Sequence, residues 1–249
     1  MILHSPLEQF QILPLFVGLH YNFSFTNAGL IIIFSLGSFL LCQSLLLGNK
    51  NGYIVPSRIQ ILIEGLYSIV VHIVEDNLGK KGLIYFPFIF VVCLFVLLSN
   101  LLGLVPYSFT TTSHLIVTLA LALSVFGAIV IISVSIHGIH AFAHFLPPGT
   151  SLPLAFLLVP IEIVSFIFKP LSLAVRLFAN IIAGHTLLKV IGGFSWTIIK
   201  KGGIFFIAHF LPLFVLVLLI GLELGVALIQ TYVFTILICI YFREGINLH

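Results

Sequence analysis

Charge is what this sequence has least of. Ten Lys/Arg and seven Asp/Glu make 7% of the 249 residues, against roughly 25% in an average soluble domain. Hydrophobic residues make up 61%, so a soluble globule of this composition would lack the polar surface to stay dispersed. The scarcity is patterned as well. Residues 82–161 run 80 positions without a formal charge, and residues 9–49 run 41 more. Apolar stretches beyond ~18 residues read as transmembrane helices. The chain is therefore predicted to be a polytopic membrane protein, and disorder, secretion and nucleic-acid binding are excluded.

Cysteine is also sparse. Cys42, Cys93 and Cys239 each sit inside an apolar run and read as buried small hydrophobes. With no CxxC or CxxCH, a disulfide framework, a thiolate zinc site and a covalent haem are not expected. The N-terminus lacks a basic n-region joined to a short apolar core, so no secretory signal or Arg-rich transit peptide is expected. His137, His140 and His144 have a spacing that suggests a metal, but they precede Leu-Pro-Pro-Gly-Thr with no carboxylate nearby. A solvated interfacial loop is the expectation there.

What is present reads as a single membrane domain over 1–249. Residues 1–27 carry Pro6 and Pro14 and are too broken for a helix. Residues 28–47 are long enough for a first span, stopped by Gly48-Asn-Lys-Asn-Gly52. Residues 57–78 differ. Gln60, Glu64, Ser68, His72 and Glu75/Asp76 recur at helical spacing, which predicts an amphipathic helix lying in the interface, capped by Ser57 and stopped by Asn77-Leu-Gly79. Residues 85–136 form a helical hairpin, with Pro87 in the first turn and a polar turn at 107–113. Residues 152–242 hold two apolar segments of about forty residues each, roughly 60 Å as helices against a ~30 Å hydrocarbon core. No polar turn divides either, so strong tilt with bends at Pro160, Pro170 and Pro212 is expected, the hairpin falling between Gly192-Gly193 and Lys200-Lys-Gly-Gly203. Lys50, Arg58, Lys80 and Lys81 place the 48–82 side in the matrix or cytoplasm. The fold class is all-α, with about five membrane helices plus one interfacial helix.

Against this background each intramembrane charge is informative, because one at mid-bilayer costs at least ~2.5–3.5 kcal/mol. Glu162, Lys169 and Arg176 are seven apart, and seven steps of ~100° return close to the starting direction, so they share a face. Ser165, Ser172, Ala179, Asn180 and Ala183 fall on or near it, a stripe of small residues that permits close approach of another surface. His185, nine residues past Arg176, points to nearly the opposite face. Glu223 and Gln230 make a second polar stripe on the last segment. Arg176 reads either as half of a structural ion pair with Glu162 or Glu223, or as a fixed positive charge that repels cations and discharges a passing carboxylate. It cannot itself relay a proton, whereas Glu223 and His185 can.

The run Pro160-Ile-Glu-Ile-Val-Ser-Phe-Ile-Phe-Lys-Pro-Leu-Ser-Leu-Ala-Val-Arg176-Leu-Phe-Ala-Asn180-Ile-Ile-Ala-Gly-His185 closely resembles subunit a of the rotary F-type ATP synthase. Asn100-Leu-Leu-Gly-Leu-Val-Pro106, the Leu222–Tyr232 stretch and the mitochondrial-type start Ser5-Pro-Leu-Glu-Gln-Phe10 are similar to it too. The resemblance covers nearly the whole chain. It implies a non-catalytic subunit of the mitochondrial inner membrane that offers two proton half-channels to a ring of c subunits and assembles with peripheral-stalk and other membrane-sector subunits. It also implies that the last two helices run nearly in the membrane plane. Arg176 would face the ring and separate the half-channels, with Asn180 one turn along. His185 and Glu223 would be the exchange pair of the inlet half-channel, swapped between helices relative to many bacterial members. Gln230 would be a polar neighbour of the arginine, Glu162 an outlet-side acid, Lys169 a basic residue shared with bacterial members and Asn100 an inlet asparagine. Where some bacterial members have an aspartate, this chain has Gly103. No P-loop, HExxH or GxGxxG occurs, so no ATP, cofactor or metal is expected here. A self-contained secondary transporter is the alternative, but the Arg176 segment is not repeated as that class usually requires.

Overall fold

The computed structural model describes residues 8–16, 25–47, 58–105, 109–138, 152–200 and 205–246. Ser57, the stop at 48–52, Pro106, His140, His144, Lys201 and Ser5-Pro6-Leu7 lie outside them. Two short strands, β1 (Pro14–Phe16) and β2 (Phe25–Thr26), precede seven helices: α1 (Asn27–Leu47), α2 (Arg58–Leu78), α3 (Phe86–Gly103), α4 (Leu115–His137), α5 (Leu152–Ile199), α6 (Phe205–Ala208) and α7 (Phe210–Ile246). Among the described residues, four stretches are long and apolar enough to cross a membrane, 82–103, 115–137, 156–199 and 210–246.

Among the described residues of the lead, a 3-10 turn at Glu8–Phe10 is followed not by an α-helix but by an antiparallel strand pair, Pro14–Phe16 and Phe25–Thr26. Asn27 fastens it to α1. Its Oδ1 accepts from the Leu13 and Ala28 amides at 3.2 and 2.9 Å, and its Nδ2 donates to the Gln11 carbonyl at 3.0 Å. Asn27 thus ties down the preceding chain, while Thr26 Oγ1 caps the helix by accepting from the Gly29 amide at 3.4 Å. α2 has the predicted amphipathic form. Ile63, Val70, Ile73 and Val74 are buried, while Glu64, Ser68, His72, Glu75 and Asp76 are exposed. Gly79 at φ 70° ends it, a left-handed position that glycine adopts without strain.

The chain divides into two compact units. One comprises residues 42–94, 115–176 and 232–249. Its core centres on Phe242, wholly buried, with Tyr85 and Phe88 at ring distances of 5.3 and 5.9 Å. Tyr67 of α2 sits edge-on to Phe86 at 4.8 Å, and Phe126 edge-on to Phe166 at 4.6 Å. Cys93 and Cys239 are buried here as expected of small hydrophobes. The last turn of α7 is docked firmly. His137 Nε2 donates to the Ile246 carbonyl at 2.8 Å, and a Cβ on Gly245 would lie 3.3 Å from Ile129 Cγ2.

The other unit comprises residues 1–41, 95–114 and 177–231. Leu177, Ile181, Val96, Leu97 and Ala227 are buried in it. The end of α5 is tied to the start of α7 by Ser195 Oγ and His209 Nδ1, hydrogen-bonded at 2.8 Å.

The long segments depart from expectation at their ends. α5 is 48 residues, passing through Pro160, Pro170 and then Gly192-Gly193, which were expected to begin the hairpin. A glycine costs a helix only ~1 kcal/mol. The apolar residues flanking the pair carry the helix on to Ile199. Pro212 does interrupt the second segment, one turn upstream of itself. A proline offers no N–H to the carbonyl four residues back and its ring clashes there, and α6 ends at that residue, Ala208. α7 continues past the expected end at Phe242 to Ile246, with Arg243 in its last turn, where a cation suits the helix dipole. The two long helices are also the least covered. Half of the most apolar window of 82–103 is buried, against 11% and 17% for 156–199 and 210–246.

Candidate functional site

The unit of residues 177–231 gathers the proton-carrying candidates. His185 is 6% exposed and lies near Gly103 at the end of α3. The Phe10 ring stands edge-on to it, centroids 5.7 Å apart at 82°, and is itself buried. His185 Nε2 has no hydrogen-bond partner among the described residues.

Glu223 of α7 meets α5 at Gly184. A Cβ on Gly184 would stand 2.5 Å from Glu223 Oε1 and 2.9 Å from its carboxyl carbon, so any side chain there would require the Glu223 carboxylate to move. The structure therefore brings Glu223 to the residue before His185. It does not join them directly, since Glu223 Oε1 is buried without a described partner. Two groups able to exchange protons, each with an atom open to a further partner, sit on adjoining turns.

Asn100 is fully buried. Its Nδ2 donates to Thr231 Oγ1 at 3.3 Å, and Thr231 Oγ1 in turn donates to the Ala227 carbonyl at 3.0 Å, leaving Asn100 Oδ1 unpartnered. Gln230, on the same stripe of α7 as Glu223, is buried with Nε2 unpartnered. Asn180 is half-buried, one turn beyond Arg176 on α5.

Glu162, Lys169 and Arg176 lie in the other unit. The heptad arithmetic places them on one face, yet the structure uses them differently. Lys169 pairs with Glu244 of α7, and its ammonium lies 5.5 Å from the Tyr241 ring centre. Glu162 is half-buried. Arg176 is exposed and makes no ion pair with Glu162 or any other described residue of its unit. Ser165, Ser172, Ala179 and Ala183 are exposed with it, so the stripe of small residues is uncovered along two turns and more.

Sequence reasoning missed four participants. Phe10 is invisible as a neighbour of a residue 175 positions later. Gly184 was quoted within a motif without its steric role. Gly103 reads in the sequence only as a missing aspartate, whereas in the fold it lies near His185. Glu244 was missed as the partner of Lys169, although an acid in the last turn of a helix, where the dipole disfavours it, is a signal that it has a partner.

The Lys169–Glu244 pair has a stability consequence. With side chains 19% and 37% exposed, it is expected to contribute about 1 kcal/mol after solvent screening. Glu244→Gln strands the more buried ammonium, whereas Lys169→Met removes the charge. Thermal unfolding of the purified complex should therefore show the larger drop for Glu244→Gln. No drop in either variant would mean that the pairing contributes nothing.

Among known proteins, the ATP synthase A chain family matches residues 29–243. ATP synthase subunit a of Pylaiella littoralis is 56% identical over 249 residues, covering 99% of both chains. Subunit a of Brassica napus is 47% identical, covering 100% of this chain and 98% of its own. The bacterial subunit a of Rhodospirillum rubrum is 43% identical over 99% of this chain and all of its own. Matched over almost its whole length from plants to a bacterium, and carrying its buried histidine and its exposed arginine on one long helix, this chain belongs to the ATP synthase A chain family.

Proposed function

We propose that this chain is the proton-channel stator subunit of the membrane sector of an F-type ATP synthase, in the mitochondrial inner membrane. Arg176 carries this reading. It is a permanent charge, unpaired within its unit, on an exposed stripe of small residues. Such a face suits a second close-packed helical surface, and the ring of c subunits is the proposed occupant. At 48 residues, α5 would be ~72 Å long, more than twice a ~30 Å hydrocarbon core. Strong tilt of α5 and α7 along the ring follows, and it would present their poorly covered flanks to ring and lipid.

A proton enters the inlet half-channel, passes through the region of Asn100, His185 and Glu223, and loads a carboxylate of a c subunit. The ring carries it around until Arg176, with Asn180 and Gln230 beside the exchange zone, displaces it towards the outlet, where Glu162 receives it. Lys169, engaged with Glu244, holds the outlet-side helix in place. The drive is about 2.3 kcal/mol per charge per 100 mV. The placement of the histidine on α5 and the acid on α7 is what favours the mitochondrial setting. The chain itself is non-catalytic. The relatives give no support to a self-contained transporter.

The purified chain should travel with an oligomeric ring of small hairpin subunits and peripheral-stalk partners. Recovery of a stable chain that moves a solute alone in liposomes would overturn the proposal. Exchanging the two residues, His185→Glu with Glu223→His, should retain part of the proton flux that either single change abolishes, because a relay needs both groups rather than a fixed order. Complete loss in the exchange variant, with normal assembly, would show that each position demands its own residue.

A further inference from the structure

We propose that the lead of the chain is a strap that positions the His185 ring for proton exchange, with Phe10 as its contact and Asn27 as its clasp. The inference rests on the proton-channel reading and adds to it two residues that cannot titrate. Of residues 8–14 only Phe10 is buried, at 7% exposure, whereas Ile12 and Leu13 are 54% and 59% exposed. Apolar character alone does not choose among three large apolar side chains, so the inward turn of Phe10 comes from the place it fills. That place is beside His185, with ring centroids 5.7 Å apart and planes at 82°. The backbone is fixed on either side of the contact. The Gln11 amide donates to the Glu8 carbonyl at 3.2 Å and closes the turn that carries Phe10. Asn27 then engages the next residues three times. Its side chain accepts from the Leu13 amide and donates to the Gln11 carbonyl, and its own amide donates to the Leu13 carbonyl at 3.1 Å. The segment that carries Phe10 is thereby fastened to the first turn of α1.

His185 has need of such a neighbour. The torsion that turns a histidine ring is broad, so the ring swings unless packing holds it. Two of the residues around it are glycines and offer no side chain for that purpose. Gly103 lies near it at the end of α3, and Gly184 precedes it on α5, facing Glu223. Among the described residues, Phe10 is the one aromatic ring that meets it. An edge-to-face pair favours one mutual arrangement over others by roughly two- to tenfold. Nε2 is the His185 atom buried without a described partner, hence the one open to exchange. Proton transfer depends on donor–acceptor geometry, so a swing that turns Nε2 away costs rate without undoing the fold. A phenyl ring has no donor or acceptor of its own, so it orients the imidazole without competing for its nitrogens.

The test measures ATP-driven proton pumping per assembled ATP synthase in membrane vesicles. Phe10→Leu keeps the apolar character and removes the ring, and pumping should fall roughly fivefold. Phe10→Tyr keeps the ring and should pump at close to the native rate. Asn27→Ala opens the clasp with Phe10 still in the chain, and should lower pumping as well. Both changes act through the same ring, so Phe10→Leu with Asn27→Ala should pump no less than Phe10→Leu alone, whereas independent losses would multiply. Should Phe10→Leu fail to assemble, the Asn27→Ala complex decides, and native pumping by it would overturn the proposal. His185→Ala separates the strap from the reading beneath it. Normal pumping by His185→Ala would remove the exchange role of the histidine and the strap together. An inactive His185→Ala beside a Phe10→Leu complex that pumps at the native rate would overturn the strap alone. Equal losses in the Leu and Tyr variants, or losses that multiply in the double variant, would do the same, since residues that only pack behave in that way.

Discussion

Arg176→Ala is expected to abolish proton-driven ATP synthesis while the complex still assembles and hydrolyses ATP. The side chain is exposed and holds no ion pair within its unit, so its removal touches no core and should cost at most ~0.5 kcal/mol of stability. Its proposed role is electrostatic. A guanidinium stays charged throughout the physiological range, cannot pass a proton on and repels one that tries to cross. Without it the two half-channels lose their separator, and passive proton leak should rise as synthesis vanishes. Arg176→Lys should also fail largely, because an ammonium is a compact, strongly hydrated charge that can deprotonate when desolvated, and the planar fork is gone. Synthesis and leak in reconstituted liposomes measure both outcomes. Wild-type synthesis by the Ala variant would refute the assignment.

Gly184→Ala should lower synthesis about tenfold or more, by a different route. The new Cβ would start 2.5 Å from Glu223 Oε1, closer than carbon and oxygen tolerate, so the carboxylate must retreat from α5. Misplacement by ~1 Å in a proton-transfer constellation costs on the order of a hundredfold. Gly184→Val, with two further carbons, should leave almost nothing. The helix itself gains from either loss of glycine, by up to ~1 kcal/mol for Ala, so the complex should be no less stable as it becomes less active. Shortening the acid restores room, and Gly184→Ala with Glu223→Asp should recover part of the lost rate. A fully active Gly184→Ala variant would mean that Glu223 works from some other position.

Much of this was legible in the sequence wherever one helix carries the information. The nine helical steps from Arg176 to His185 make half a turn of surplus rotation, and the structure exposes one and buries the other. The stripe on α2 is equally local. Helix ends were less legible, because glycine weakens a helix without deciding its fate. The apolar residues around Gly192-Gly193 outweigh the pair. Pro212 was rightly singled out, but its effect appears at Ala208, where the missing bond would have been. Contacts between distant segments could not be read at all. Nothing near Phe10 announces His185, and nothing near Lys169 announces Glu244, because such pairings are fixed by how helices pack rather than by spacing along one of them. The resemblance makes Gly103 stand out only by the aspartate that it implies in some bacterial members. Packing brings the end of α3 at Gly103 near the histidine.

The concentration of unpartnered polar atoms in one unit also bears on engineering. Replacing a buried polar side chain that has no protein partner by an apolar one of similar shape can be neutral or stabilising, so a screen for thermal robustness should accept Met at Gln230. Proteins in general keep such weaknesses where function needs them. Here that selection would remove a residue of the proposed proton path. Resistance to heat, used alone as a measure of improvement, would not set such a variant below the native chain.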